Sequence, residues 1–356
     1  LLWIGGADVT MKAIDFFCGG GGMTYGLHMA GIDVIAGVDI DHDAKDTYEF
    51  NNPETFFVES DIENLPLEYF SSKFGIKKND DEMIFVGCSP CQFYSIINTD
   101  KTKSLKTKNL LARFGQFVEY YRPAYVLVEN VPGILTNKTS VLPSFLEQLK
   151  KCGYKNVIHK VINMSKYGVP QSRKRFSLIA TRLDVILKFP AESKEPSVVA
   201  DFLGVKNGFP KISAGNKDYS SFNHTCAGLS PVCLKRLQMT RHDGGTRFDW
   251  ANIPELQLKC FEGKDDCFRD TFARMWWHKP ASTITTRFYS ISNGRFAHPE
   301  EDRGLSIREG ATLQTFPKTY EFRTTSIGKA AKLIGNAVPC EFARRLGLSV
   351  LESFYG

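Results

Sequence analysis

No apolar run in these 356 residues is long enough to span a bilayer, and no signal peptide is visible. A membrane-embedded role is therefore not expected. The chain has no internal repeat and no low-complexity tract, which excludes solenoid and fibrous architectures. It also lacks a strong charge bias. Lys and Arg total 45 against 39 Asp and Glu, a net charge of +6. On so long a chain that balance does not by itself argue for nucleic acid, unless the basic residues gather on one face. The nine cysteines stand at 18, 88, 91, 152, 226, 233, 260, 267 and 340. They are odd in number and scattered, unlike a small secreted disulfide framework, so a reducing cytoplasm is the expected compartment. Residues 1–10 precede Met11 and differ in texture from the strand that follows. They are read as a leader or cloning remnant and left out of the fold.

What is present is an alternation of short apolar runs with helical patterns. "MKAIDFF" (Met11–Phe17), "DVIAGVDID" (Asp33–Asp41), "DEMIFVGC" (Asp81–Cys88), "AYVLVENV" (Ala124–Val131) and "RFSLIATRL" (Arg175–Leu183) read as strands. Helical spacing runs from Asp43 to Asn51, from Leu110 to Tyr121 and from Val141 to Cys152. Such alternation predicts an α/β fold with a doubly wound, mostly parallel sheet. After about residue 185 the composition shifts to Gly, Pro, Ser, Thr and Asn, which predicts a smaller, irregular, β-rich domain over 186–325. From Ser326 a helical pattern returns, so 11–185 and 326–356 are expected to form one domain.

"DFFCGGGGMTYGL" sets four glycines between a strand and a helix. Glycine permits a sharp turn and close approach of a ligand to the main chain. Asp39 ends the next strand about 20 residues on, where an acid can accept hydrogen bonds from ribose hydroxyls. The turn is compressed relative to G-x-G-x-x-G and lacks the Lys-Ser/Thr ending of a nucleotide-triphosphate loop. A nucleoside cofactor without a pyrophosphate, such as S-adenosylmethionine, suits it.

"GCSPCQFYS" (Gly87–Ser95) carries two cysteines at the carboxyl end of a strand, the side on which open α/β sheets bind ligands. A redox pair, half of a metal site, a single nucleophile and an inert pair are all compatible with the spacing.

Together, "DFFCGGGG", "SPCQ" (Ser89–Gln92), "ENV" (Glu129–Val131), "QSRKR" (Gln171–Arg175), "RGLSIREGATLQTFP" (Arg303–Pro317) and "GNAVP" (Gly335–Pro339) resemble the cytosine-C5 DNA methyltransferases in kind and order. The resemblance runs from Met11 almost to the C-terminus. It implies the sheet of S-adenosylmethionine-dependent methyltransferases and a reaction on double-stranded DNA. It makes Cys91 the nucleophile that adds to cytosine C6, a task suited to a thiolate. Glu129 then contacts N3 and the exocyclic amine, and Arg173 fixes the base and offsets negative charge. Arg175 is expected to order the loop or touch phosphate, and Gln92 and Ser95 to hold the nucleophile loop and the flipped nucleotide's backbone. Phe17, Gly19, Gly21 and Gly22 match the methionine-binding turn, Asp39 the ribose acid, and Ile40 the apolar residue against adenine. Asp61, Ile62, Pro90 and Asn336 complete the implied cofactor set, and no metal is expected. Two departures stand out. Phe93-Tyr94 replace the family's frequent proline-phenylalanine, and Ile40 stands where an aromatic ring is common.

Because the target atom must leave the base stack, the resemblance also implies a target-recognition region. Within 186–325, "LKRLQMTRHDGGTRFDW" (Leu234–Trp250) supplies Arg236, Arg241, His242 and Arg247 around a Gly-Gly turn, and arginine is the usual reader of guanine. Cys226, Cys233, Cys260 and Cys267 are expected to be thiols outside any metal site. A restriction-modification or solitary methylase follows, monomeric and cytoplasmic, with a cognate restriction endonuclease as the implied partner. The alternatives are a tRNA cytosine-C5 methyltransferase, whose Cys-Phe-Thr element is not found here, a non-catalytic DNA-binding relic, and a nicotinamide-dependent oxidoreductase.

Overall fold

The computed structural model describes residues 10–90, 109–263 and 267–356. Seven strands form one sheet: β1 (Lys12–Phe16), β2 (Asp33–Asp39), β3 (Phe56–Glu59), β4 (Met83–Gly87), β5 (Tyr125–Asn130), β6 (Asn156–Asn163) and β8 (Lys174–Thr181). The strand order is β3-β2-β1-β4-β5-β8-β6. All neighbours are parallel except β8, which runs antiparallel to both β5 and β6. A short parallel pair, β7 (Gln171–Ser172) and β9 (Ala281–Ser282), lies apart from the main sheet.

The apolar runs are buried on both faces, and alternation divides them between two cores. Ile14, Phe16, Phe85, Val126 and Val128 face one side, under the helices Leu110–Tyr121 and Leu142–Lys151. Ala13, Ile84, Val86, Tyr125 and Leu127 face the other, under the helices Gly22–Met29 and Cys340–Tyr355. The C-terminal helix thus returns to the first helix of the chain. Gly26 makes this possible, since a side chain there would collide with Ala343 and the Cys340 carbonyl.

A third cluster joins Cys18, Ala44, Tyr48 and Phe57 to Leu203, Phe209, Met275, Phe288 and Leu333, so residues on both sides of the expected boundary share a core. A smaller cluster gathers Leu237, Trp250, Leu256, Phe272, Ile291 and Ala297. The expected richness in strands does not hold for 186–325. Among the described residues this region has only the two-residue β9, the helices Pro231–Met239 and Ile307–Leu313, and short 3₁₀ turns. Its Ser and Thr cap helical turns instead of bounding strands: Ser230 accepts from Cys233 N–H and Thr246 from Phe248 N–H. No helix among the described residues is long and apolar enough to cross a membrane.

Candidate active site

The order of the sheet reverses between β1 and β4, and the crevice beyond their carboxyl ends is where open α/β sheets bind ligands. Phe17 leaves β1 in the left-handed region (φ 65°), rare for a non-glycine residue. The Phe17 and Cys18 N–H groups both donate to the Val38 carbonyl, at 2.8 and 3.1 Å. Gly19 N–H then donates to Asp39 Oδ2 (2.8 Å), and Asp41 N–H to Asp39 Oδ1 (2.8 Å). Burial raises the Asp39 carboxyl above the ordinary range despite these two bonds. Gly21 (φ 82°) needs the left-handed region, and a side chain on Gly22 would strike the Val338 carbonyl. The glycine turn is therefore shaped by the returning C-terminal segment as well as by its own sequence.

Beside Asp39, Ile40 is 66% exposed, an open apolar side chain on the crevice rim. Asp61 caps the next turn by accepting from Glu63 N–H (3.0 Å), while Ile62 is buried in the core. Asn336 is exposed at the end of the helix Ile327–Asn336. Two ion pairs strap that helix to the β2 rim: Lys332 to Asp41 (2.7 Å) and Lys329 to Asp43 (2.6 Å). Below the turn, Asp15 is fully buried. Its Oδ2 accepts from Thr24 Oγ1 (2.7 Å), and its Oδ1 has no partner among the described residues. Desolvation pushes this carboxyl up to about 7.

On the β4 side, Cys88 N–H donates to the Phe16 carbonyl (3.4 Å), extending the strand by one bond. Ser89 is buried, and Asn130 Nδ2 donates to its Oγ and carbonyl, at 3.3 and 3.4 Å. Pro90 is exposed. Cys91, Gln92 and Ser95 lie outside the described residues, as do Phe93 and Tyr94.

At the end of β5, Glu129 is buried, and its Oε1 lies 3.1 Å from Arg175 Nε, an ion pair whose angle is not that of a hydrogen bond. Arg173 sits elsewhere. It is buried, with Nη1 on the Ile284 carbonyl (3.0 Å) and Nη2 on the carbonyls of Gly335 and Ala337 (3.3 and 3.2 Å). Arg173 thus ties distant segments together, and Arg175 stands beside the carboxylate. Gln171 and Gln314 were not singled out from the sequence, yet they extend the same buried network. Gln171 donates to the Leu313 carbonyl (2.8 Å) and to Gln314 Oε1 (2.6 Å), and Gln314 donates to the Ile334 carbonyl (2.6 Å).

The small cluster corrects two of the expected DNA contacts. Arg236 is buried, donates to the Leu256 carbonyl (2.8 Å) and lies over the Trp250 and Phe272 rings. Arg247 is buried against Phe248 and Phe261 and donates to the Cys267 carbonyl (3.2 Å). Arg241 and His242 are exposed. Cys226 is buried with Sγ 3.2 Å from the Ser213 carbonyl, Cys233 is half-buried, and Cys260 and Cys267 are exposed. Among the described residues no group of three or more His, Cys, Asp or Glu could hold a metal ion.

The glycine turn with its strand-end acid and the Glu129–Arg175 pair both stand at the carboxyl ends of the strands, the side on which open α/β sheets bind ligands. Comparison with known proteins agrees. The family model described as C-5 cytosine-specific DNA methylase matches residues 11–352. Type II methylase M.HgiDII of Herpetosiphon aurantiacus is 36% identical over 350 residues, covering 96% of each chain. Type II methyltransferase M1.HphI of Haemophilus parahaemolyticus is 29% identical, covering 97% of this chain and 87% of its own. In fold, the chain is similar to a prophage-encoded E. coli protein assigned as a DNA modification methyltransferase (TM-score 0.75, 22% identity, 98% of this chain and 100% of that one). It is also similar to a Spodoptera frugiperda DNMT2 mutant (TM-score 0.64, 17% identity, 98% and 100%).

Proposed function

This chain belongs to the C-5 cytosine-specific DNA methylase family, and from that premise we propose that it methylates C5 of a cytosine flipped out of duplex DNA at a specific sequence, using S-adenosylmethionine. The observation that carries this is the Glu129–Arg175 pair at 3.1 Å, on the same sheet edge as the Gly19–Asp39 hydrogen bond. The crevice fits the cofactor. Asp39 lies at the ribose position, Ile40 offers its open face to adenine, and the glycine turn lacks the side chains that would fill the space around it. When bound, S-adenosylmethionine supplies an electrophilic methyl group.

In the proposed reaction the Cys91 thiolate bonds to cytosine C6, and electron density moves to C5. Glu129 holds the N3 and amine edge and carries a proton to N3 as charge builds there. Arg175 orients the Glu129 carboxyl and lies close enough to offset negative charge on the base. With C5 methylated, loss of the C5 proton to solvent and return of the N3 proton to Glu129 would let the Cys91–C6 bond break, restoring the aromatic ring and the thiolate. Arg173 is assigned a positioning role through the segments it joins. The names of the relatives suggest a Type II modification enzyme, paired with a restriction endonuclease that cuts the same site.

Incubation with methyl-labelled cofactor and either duplex DNA or tRNA tests this. Label is expected in DNA, at C5 of cytosine, and label found only in tRNA would overturn it.

A further inference from the structure

Of the four basic residues that the sequence offers for reading DNA, the structure buries two and leaves Arg241 and His242 outside. The Arg241 side chain is 80% exposed, yet it is not loose. Its Nε donates to Asp249 Oδ1 (2.8 Å), and its backbone N–H donates to Asp249 Oδ2 (3.1 Å). Asp249, only 12% exposed, also accepts from Thr246 N–H (2.9 Å). Burial would raise this carboxyl, but the bonds from Arg241 and Thr246 prevail and hold it below the usual range. With Nε engaged, the two Nη groups of Arg241 have no partner among the described residues. They form a planar, two-pronged donor edge, the arrangement that meets O6 and N7 of guanine.

The turn behind Arg241 is fixed from several sides. Gly245 N–H donates to the Arg241 carbonyl (3.1 Å), Arg274 N–H to the Gly245 carbonyl (3.0 Å), and Arg295 Nη1 to the Gly244 carbonyl (3.1 Å). Asp243 N–H donates to the Pro299 carbonyl (2.8 Å), and Trp277 N–H to Asp243 Oδ1 (2.7 Å). Gly244 (φ 103°) has no side chain because one would fall inside the Trp276 indole. Trp276 in turn carries the Arg295 guanidinium at 3.7 Å and the Lys279 ammonium at 4.2 Å from its ring centre. A donor held before binding loses less freedom on binding, so its contact weighs more in discrimination.

The turn is also linked to the candidate active site along the chain. Trp276 precedes β9 by five residues, and β9 pairs with β7, which leads directly into Arg173 and Arg175. Five residues span at most roughly 18 Å. Trp276 therefore lies within that length of chain of the strand paired beside Arg173 and Arg175. The exposed Lys279 lies on the way and suits a phosphate.

We infer that Arg241 reads a guanine within the target site, through its Nη edge, while Asp249 sets the angle of its guanidinium. The inference rests on the proposed DNA methylase activity. It is tested with full-length wild-type protein and the variants Arg241→Lys and Arg241→Ala, acting on a plasmid library with randomised flanks around cytosine and read by bisulfite sequencing. Lysine keeps the charge but loses the paired donors. Both variants are therefore expected to relax the preference at one guanine position by on the order of 10- to 100-fold, with the other positions kept. An unchanged sequence preference in both variants overturns the inference, whether or not overall rate falls, because a phosphate contact would behave that way. A wild-type motif without guanine overturns it alone. Wild-type protein that methylates no duplex removes both this inference and the activity it rests on.

Discussion

Arg175 and Glu129 face one another across 3.1 Å at the carboxyl edge of the sheet, while Arg173, two residues earlier, donates to the carbonyls of Ile284, Gly335 and Ala337. Replacing each should therefore damage different properties. Arg175→Ala is expected to lower kcat by about 100-fold, the scale of losing one positioned donor, with thermal stability close to wild type. Arg173→Ala strands the buried carbonyls of Ile284 and Gly335, while the Ala337 carbonyl keeps its bond from Gln314 Nε2. Each orphaned acceptor costs on the order of 1–3 kcal/mol, so this variant should melt well below the wild type. Melting curves and single-turnover rates on both variants check the pair. The opposite assignment would appear as a stable, inactive Arg173→Ala.

The cofactor rim offers a gain instead of a loss. Ile40 is open to solvent beside Asp39, where an aromatic ring would stack on adenine. Ile40→Trp should tighten S-adenosylmethionine binding by about 1 kcal/mol, several-fold in Kd. Asp39→Asn should weaken binding, because an amide can no longer present two acceptor oxygens to the Gly19 and Asp41 N–H groups. Calorimetric titration of the cofactor measures both, and an Ile40→Trp variant that binds no tighter would place adenine elsewhere.

Asp15 gives the fold a pH dependence of defined sign. Its carboxyl holds a proton up to about 7 in the folded chain, against 3.8 as its ordinary value. Between those values the native state binds the extra proton, so raising the pH through this window removes stability, and the loss is complete above 7. The full effect is on the order of 4 kcal/mol. Asp15→Asn is neutral throughout, so the difference in stability between variant and wild type should grow in the variant's favour from pH 4 to pH 7. Denaturant melts across that range test this, and a constant difference would mean that Asp15 is ionised in the native protein.

Much of the sheet was legible in the sequence because β1, β2, β4, β5 and β8 are nearly continuous apolar runs. β3 and β6 were not anticipated. β3 has four residues, and β6 is an edge strand whose His159 and Lys160 reach the surface, so its pattern is diluted. The helical pattern after Ser326 predicts a single run, but it breaks at Ala337–Pro339, with Pro339 as the N-cap of the final helix. Asp39 and Glu129 could be found because each ends a strand that points at the crevice. The partners of Arg173 lie at Ile284, Gly335 and Ala337, far along the chain, and no local pattern tells it from Arg175. Arg236 and Arg247 misled for a related reason. Basic residues near glycine read as a surface loop, whereas their guanidinium groups stack on Trp250, Phe272, Phe248 and Phe261.

In the proposed mechanism Cys91 attacks cytosine C6 while Glu129 and Arg175 hold the base. A duplex carrying 5-fluorocytosine at the target position tests it most directly, because fluorine at C5 cannot leave as a proton does and the adduct persists. With S-adenosylmethionine present, the wild-type protein should form a covalent complex that survives denaturation and maps to Cys91, and Cys91→Ser should form none. Equal trapping by Cys91→Ser, or no trapping by a wild-type protein that methylates the unfluorinated duplex, would rule out Cys91 as the nucleophile.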